Sequence, residues 1–205
     1  MLDASLPPDC RELLDFWFGD ADGEAEIAAR QSSLWWQADA ERGREIGERF
    51  GSLREDAIAG RLASWTADPR SRLALIVLVD QFSRNLFRGD AQAFAHDGLA
   101  REWCATGLEQ GMDAWLRPIE RVFFYMPLEH AEDLDDQQKS VALFTALRDG
   151  VPDAQREAFA NFLAFAKRHR AIVARFGRFP HRNAALGRTS TPEELMFLRE
   201  PGSSF

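Results

Sequence analysis

Three polar segments of the sequence combine residue types that bind anions and transfer protons. The first, DQFSRNLFRGD, places Asp80, Arg84, Asn85 and Arg88 directly after the apolar run Leu73–Val79. On a helix, Arg84 lies one turn from both Asp80 and Arg88. Because a buried charge needs a partner, this segment predicts either an internal Asp80–Arg84 ion pair or a polar wall that faces a cleft.

The second segment, PLEHAEDLDDQQ, contains a histidine among acids. If Pro127 begins a helix, then Glu129, Glu132 and Asp133 fall in its first turns, where the helix dipole favours negative charge. Asp133 then lies three residues after His130 and can orient its ring. No Glu-x-x-His and no His-x-x-x-His occurs in the chain, so we expect no metal site.

The third segment, from Lys167 to Arg188, contains seven Lys and Arg residues and no acid. Within it, FGRFPHRN contains a glycine that frees the backbone and a proline that restricts it, so His181, Arg182 and Asn183 are expected to project from a braced loop. Arginine donates bidentate hydrogen bonds to carboxylate and phosphate, which predicts an anion site. The same arginines could instead form salt bridges with the acidic residues 129–136.

Histidines are the natural proton carriers of these segments near neutral pH. His130, His169 and His181 are therefore candidate general acids or bases, and His130 and His181 are the leading catalytic candidates. Each of them is also explained by a structural role. The chain has no phosphate-binding glycine loop, no Gly-x-Ser-x-Gly motif and no recognisable Cys–His arrangement, so we predict no cofactor and no particular reaction.

The overall composition narrows the class of protein. The net charge of −8 argues against nucleic acid and anionic membranes as partners. No apolar run approaches the roughly 20 residues that cross a bilayer, and the N-terminus lacks the pattern of a signal peptide. Two isolated cysteines make no disulfide framework. We therefore expect a reduced cytoplasmic protein whose oligomeric state the sequence leaves open.

Helix signals dominate the chain and must position the three segments. Asp9 with Glu12 predicts a capping box for the first helix, Asp68-Pro69 a helix start, and Gly177 a helix end. Asp90 is predicted to cap the helix that follows it. The predicted helices cover about residues 9–18, 24–35, 39–59, 69–87, 91–111, 118–126, 127–134, 136–150, 152–176 and 193–198, the last with a Thr191–Glu194 capping box.

No alternating strand pattern stands out. The sequence therefore predicts a single all-α domain over residues 1–205, with about eight to ten helices in antiparallel pairs. We expect about eight residues at the N-terminus and about five at the C-terminus to be frayed. Trp35 and Trp36 are compatible with either a core or a surface position.

Several longer motifs of the sequence are distinctive. They are LDFWFG, Trp35-Trp36, DQFSRNLFRGD, RVFFYMPLEHAED with Gln137, and FGRFPHRNAALGR followed by STPEE. Together they resemble a bacterial family known only as domain-of-unknown-function family 924. The resemblance extends from about Leu13 to Leu198. It implies an all-α, tetratricopeptide-like fold in which the three polar segments belong together, and it implies no reaction. Ala131 and Ala171 depart from the family pattern, which favours Ser and an acid at these positions.

These observations support three hypotheses about function. The first is a binding protein for a small anionic ligand or a peptide end, with Arg84, Arg88, Arg182 and His181 near the anion. In this hypothesis Asp80, Glu129 and His130 orient those side chains or contact the ligand, and Asn85 and Asn183 add hydrogen bonds. The second is a helical-repeat module that grips a protein partner. The third is a hydrolase or transferase with His130 or His181 as its base.

Overall fold

The computed structural model describes residues 6–37 and 39–204, and these residues form helices without any strand. The α-helices are α1 (Pro8–Phe18), α2 (Glu24–Trp36), α3 (Ala40–Ile58), α4 (Pro69–Ile76), α5 (Phe82–Leu86), α6 (Asp97–Glu109), α7 (Pro118–Glu129), α8 (Leu134–Gly150), α9 (Arg156–Phe176) and α10 (Pro192–Phe197). A π turn, Val77–Gln81, joins α4 to α5. The predicted all-α class is confirmed, and the tetratricopeptide-like arrangement stays a prediction.

The central element is the continuous helix formed by α4, the π turn and α5. It begins as predicted: the Asp68 side chain accepts hydrogen bonds from the backbone N–H groups of Arg70 and Ser71. The residues from Ser71 to Ser83 are all buried, as expected for a helix that is apolar on every side. Within the π turn, the N–H of Phe82 donates to the carbonyl of Val77, five residues earlier. Such π turns occur often at functional sites.

Aromatic side chains fill the core beside this helix. The Phe82 and Phe123 rings each lie 5.4 Å from the ring of Trp17, edge to face. Trp35 is buried, and its indole N–H donates to the Trp17 carbonyl at 2.9 Å. Its neighbour Trp36 is 49% exposed. Of the two adjacent tryptophans, therefore, Trp35 belongs to the core and Trp36 to the surface.

The helices α7, α8 and α9 pack against one another in sequence order. The predicted helix beginning at Pro127 is wrong, because Pro127 lies inside α7, which continues to Glu129. The next helix begins only at Leu134, and Asp133 is its N-cap. Glu129 therefore lies in the last turn of a helix, where the dipole does not favour a negative charge.

Three other helix starts differ from the prediction. No capping box formed by Asp9 and Glu12 exists, because α1 starts at Pro8 with Pro7 as its N-cap. Asp90 caps a short 3-10 turn, and α6 begins later, at Asp97. A further 3-10 turn separates Pro152 from α9.

The remaining helix signals are confirmed. Gly177 ends α9 with a φ of +69°, a conformation that favours glycine. Thr191 and Glu194 form the predicted capping box of α10. Of the ends expected to be frayed, residues 1–5 and 205 lie outside the described part of the chain, whereas the Ser203 hydroxyl donates to the Leu198 carbonyl. Among the described helices, none is long and apolar enough to cross a membrane.

Candidate functional site

The carboxylate of Asp80 lies where the first two polar segments meet. Asp80 is fully buried in the π turn. Its Oδ1 lies 2.8 Å from Nδ1 of His130 and 2.9 Å from Nη1 of Arg84, while its Oδ2 accepts a 2.6 Å hydrogen bond from Gln81. The predicted Asp80–Arg84 ion pair is therefore present. The orienting partner of His130 is Asp80, not Asp133, which caps α8 instead.

Asp97, the first residue of α6, connects Arg84 to the third polar segment. Arg84 donates two parallel hydrogen bonds to its carboxylate, at 3.0 and 2.9 Å. Nη1 of Arg182 lies 3.3 Å from the same carboxylate. We call the connected residues Asp80, Arg84, Asp97, His130 and Arg182 the Asp80 network. The network joins four separate parts of the chain.

The guanidinium of Arg182 is held between two aromatic rings. The ring centroids of Phe94 and Phe179 each lie 4.6 Å from its central carbon. Its Nε is buried and has no hydrogen-bond partner among the residues that the structure describes. Burial and the neighbouring Arg84 cation lower the pKa of Arg182 to about 10. Arg182 is therefore a buried cation that its protein partners neutralise incompletely.

A second acid–imidazole pair lies next to the network. Nδ1 of His169 lies 3.0 Å from the Glu129 carboxylate and 2.9 Å from the Phe165 carbonyl. The His169 ring stands 6.1 Å from that of His130. Glu129 and His169 are both buried. This pair brings α9 to the site.

The two buried acids, Asp80 and Glu129, have opposite electrostatic surroundings. Burial opposes ionisation of Asp80, but Arg84 and His130 outweigh it and hold its pKa well below the usual range. Burial and the negative charge of Asp80 raise the pKa of Glu129 to about 8. At pH 7, therefore, Asp80 is a carboxylate and Glu129 carries its proton most of the time.

The imidazoles of the site are neutral at the same pH. Burial and the Arg84 cation lower the pKa of His130. Burial, with His130 as the next cause, lowers the pKa of His169 well below its usual value. Burial and Arg182 lower the pKa of His181 to about 4. Neutral imidazoles can accept a proton or a hydrogen bond, which protonated ones cannot.

Besides Glu129, which pairs with His169, four of the predicted site residues lie outside the network. Asn85 donates to the Gln81 carbonyl near the end of α5, and Arg88 is exposed in the turn that follows. Asn183 is buried and donates to the Ser190 hydroxyl. His181 is partly buried against the Phe179 ring at 5.6 Å.

Other arginines of the third segment form internal ion pairs. These pairs are Arg175–Glu193, Arg178–Glu194 and Arg188–Glu132, with shortest distances of 2.9, 2.6 and 2.5 Å. Arg188 thus pairs with the acidic residues 129–136, as the alternative to an anion site predicted, whereas Arg175 and Arg178 pair with acids of α10. Arg182 also forms an internal ion pair, with Asp97 at 3.3 Å, but its Nε has no partner among the described residues.

Sequence reasoning missed Asp97 as a site residue. Little in the sequence marks Asp97 as a site residue, because it stands in an ordinary helical stretch that is predicted to begin at residue 91. His169 was recognised only as an acid–base candidate, although it lies beside Glu129. The contacts of Asp97 and His169 with the site residues exist only because α6 and α9 pack beside the central helix and α7.

One surface cavity lies away from the network, and the described residues form no metal-binding cluster. Among residues 6–37 and 39–204, no group of three or more His, Cys, Asp or Glu side chains is placed to hold a metal ion. A surface cavity of about 300 Å³ lies at the other end of the central helix, beside Pro69 and Trp115. Asp80 is eleven residues further along that helix, or about 16 Å at 1.5 Å per residue.

The fold and the network together define an all-α protein with a largely buried Asp–His–Arg cluster. Residues 13–202 match the family described as "Bacterial protein of unknown function (DUF924)", and the chain belongs to that family. It is also similar to a solved structure, the protein of unknown function ATU0120 from Agrobacterium tumefaciens. The two chains are 36% identical, with a TM-score of 0.78 over 93% of this chain and 96% of the other. No curated protein matches the chain.

Proposed function

We propose that the Asp80 network binds a small anionic molecule or the carboxylate end of a peptide. The observation that supports this function is the state of Arg182. Its guanidinium is buried, its ion pair with Asp97 is long, and its Nε has no partner among the described residues. A carboxylate or phosphate group would complete the hydrogen bonding of this cation.

The charges of the network favour an anion despite the acidic character of the whole chain. The two arginines balance the carboxylates of Asp80 and Asp97. The buried Glu129 adds little negative charge at pH 7, because burial and Asp80 raise its pKa to about 8. An approaching anion would therefore meet a neutral cluster with an incompletely bonded guanidinium. This local balance matters more than the net charge of −8, because exposed charges are screened beyond about 8–10 Å.

The rim of the network is partly exposed. The side chains of Arg84, Asp97 and His130 retain 19%, 22% and 14% of their exposed surface, whereas that of Arg182 retains 7%, so an anion would reach Arg182 across this rim. Aromatic rings from Phe94 and Phe179 enclose the guanidinium of Arg182. A site of this kind, with an apolar frame and a few placed polar groups, is typical of small-molecule binding.

The test is a thermal denaturation titration with inorganic phosphate and, separately, succinate, at constant ionic strength. A bound anion stabilises the folded state by about 1.4 kcal/mol at roughly ten times its Kd, which raises the Tm by roughly 3 to 5 °C. Arg182→Met should abolish this increase. Arg175→Met is the matched control, because Arg175 lies in the same segment but pairs with Glu193 on the surface. A flat titration in the wild type, or an unchanged response in Arg182→Met, would contradict the proposal.

A further inference from the structure

The Asp80–His130 contact fixes the tautomer of the His130 ring. The Asp80 carboxylate is ionised and can only accept a hydrogen bond, so the hydrogen in the 2.8 Å contact belongs to Nδ1 of His130. The neutral ring then carries its lone pair on Nε2. A histidine held at Nδ1 by a carboxylate, with Nε2 unprotonated, has the arrangement of a general base.

Nε2 of His130 is also the nitrogen that the protein leaves open. Nδ1 is the His130 ring nitrogen that takes part in the contact with Asp80. Nε2 is not among the buried, unpaired polar atoms of the described residues, and the side chain keeps 14% of its surface exposed. His169, by contrast, is 5% exposed, and its Nδ1 lies against Glu129 and the Phe165 carbonyl. The geometry therefore selects His130 over His169.

The groups around His130 are consistent with a base that stays neutral in the resting state. The titratable and charged groups that act on it are Asp80, Arg84, His169, His181 and Arg182, and Glu129 precedes it in the chain. Arg84 and Arg182 disfavour a positive charge on the ring, whereas Asp80 would stabilise one that forms. The ring can therefore take up a proton and hold it briefly.

We propose that His130 is the general base of this site and that Asp80 is its positioning residue. The substrate class is a small anion that carries a hydroxyl or amine close to its carboxylate or phosphate group. The anionic group bonds the guanidinium of Arg182, and the neighbouring O–H or N–H points at Nε2 of His130. This inference takes its substrate class from the proposed anion site, whereas the role of His130 depends only on its contact with Asp80.

The proton transfer has a simple balance. The proton of the substrate O–H or N–H moves to Nε2, and its bonding electron pair stays on the substrate oxygen or nitrogen, which becomes the nucleophile. The ring becomes an imidazolium, whose Nδ1–H still donates to the Asp80 carboxylate. The return of the proton from Nε2 to the substrate or product restores the neutral ring.

Diethyl pyrocarbonate measures this reactivity without knowledge of the substrate. The lone pair of an accessible, unprotonated imidazole nitrogen forms the new N–C bond, and ethyl carbonate leaves. We expect peptide mapping of the folded wild-type protein to show modification of His130 before His169. His130→Gln should lose this modification, and His96→Gln should keep it, because His96 is a partly exposed histidine that is not part of the Asp80–His130 contact although it precedes Asp97. An unmodified His130 in folded protein whose His96 reacts would overturn the proposal.

Asp80→Asn tests the positioning role. Loss of the carboxylate removes the charge that raises the pKa of His130 and lets either nitrogen carry the hydrogen. We expect modification to slow roughly three- to tenfold and the midpoint of its pH profile to move to lower pH. Circular dichroism shows whether the variant is folded. If it is not folded, peptide mapping of the modified wild-type protein still tests whether His130 is the reactive histidine. An unchanged rate and midpoint in a folded variant would refute the role of Asp80.

Phosphate separates this inference from the proposed anion site. If both hold, phosphate should slow the modification of His130 in the wild type and have no effect in Arg182→Met. If phosphate neither stabilises the protein nor protects His130, while His130 still reacts first, the proposed anion site is contradicted and the role of His130 as general base is supported. If phosphate stabilises the protein but His130 does not react, the role of His130 as general base is contradicted and the anion site is supported.

Discussion

Asp80 and Glu129 are two buried carboxyl groups whose neighbours give them different protonation states. Asp80 lies against Arg84 and His130 and remains ionised. Glu129 lies against a neutral imidazole, and the nearby Asp80 charge opposes a second negative charge. Pairs of acids whose surroundings separate their pKa values are a common device of acid–base sites. Here the separation leaves Asp80 to orient His130 while Glu129 stays protonated at neutral pH.

Glu129→Gln should change how stability depends on pH. The wild-type native state keeps the Glu129 proton up to a pKa of about 8, whereas the unfolded chain loses it near 4.5. Between pH 6.5 and 8, this proton makes the free energy of unfolding fall with pH by up to about 1.4 kcal/mol per unit. The variant lacks this contribution, so it should become progressively more stable relative to the wild type. Urea denaturation at four pH values measures the difference.

The comparison of the variant with the wild type isolates Glu129 from the other site residues. The pKa values of His130 and His169 are lowered from 6.5, and their effects on stability are the same in both proteins, so they cancel in the difference. Glu132→Gln is the matched control. Hydrogen bonds from Arg188 and Phe179 outweigh burial and lower the pKa of Glu132, so its stabilising effect is constant above pH 6.5. Equal slopes in the wild type and Glu129→Gln would contradict the prediction.

At the scale of single residues, the sequence predicts partners close in the chain better than distant ones. The Asp80–Arg84 pair follows from a spacing of four residues on a helix. The Asp80–His130 contact joins residues 50 positions apart, so no local spacing could reveal it. The nearer candidate, Asp133, was the wrong partner because it caps a helix instead.

At the scale of elements, the wrong prediction that a helix begins at Pro127 changed the expected role of residues 127–134. Proline at a helix start is the commoner arrangement, and residues 118–126 already make a complete short helix. In the structure, Pro127 lies within α7, where it removes one backbone donor but does not end the helix. Glu129 and His130 are therefore placed at the C-terminal end of α7 and not in a first turn. That placement brings them beside the π turn, which holds Asp80.

Asp133→Ala should destabilise the protein by about 1 kcal/mol, because it removes the N-cap of α8. The Asp133 side chain accepts hydrogen bonds from the backbone N–H groups of Asp135 and Asp136. Asp133→Asn should retain most of the stability, since asparagine caps equally well. Asp135→Ala is the control: it removes the same charge from the same first turn but no cap. Thermal or urea unfolding should rank Asp133→Ala as the least stable of the three.

The same variant also separates the cap from the site. If Asp133 serves α8 alone, Asp133→Ala should leave the rate of His130 modification unchanged. A slower modification of His130 in this variant would restore Asp133 as its orienting residue. Equal stability of Asp133→Ala and Asp135→Ala would count against the cap.

At the scale of the whole molecule, the site exists only because helices distant in sequence pack together. The contact between Asp97 and Arg182 spans 85 positions. Helical periodicity and capping residues predict the helices and the all-α class, since both depend on local interactions. The family resemblance adds that the polar segments belong together, but neither source places Asp97 between the two arginines. That placement depends on how α6 packs on the central helix.

Gly107 is a position where α6 packs closely against its neighbours. It is buried in α6, and a Cβ added there would lie 2.5 Å from the Phe124 ring of α7 and 2.9 Å from the Arg72 side chain of α4. Arg72 cannot easily withdraw, because it donates to the carbonyls of Thr66 and Trp103. We expect Gly107→Ala to cost about 1 to 3 kcal/mol from overpacking.

Gly98→Ala is the matched control for this prediction, because Gly98 lies in the same helix with nothing within 4 Å of an added Cβ. Alanine favours the helix over glycine by up to about 1 kcal/mol, so Gly98→Ala should be neutral or stabilising. Opposite shifts in the Tm of the two variants, measured by thermal unfolding, would identify the contacts of α6 with α4 and α7 as the cause. If Gly107→Ala also proved neutral or stabilising, α6 could not be held as closely as the structure places it, and the position of Asp97 between the arginines would lose its support.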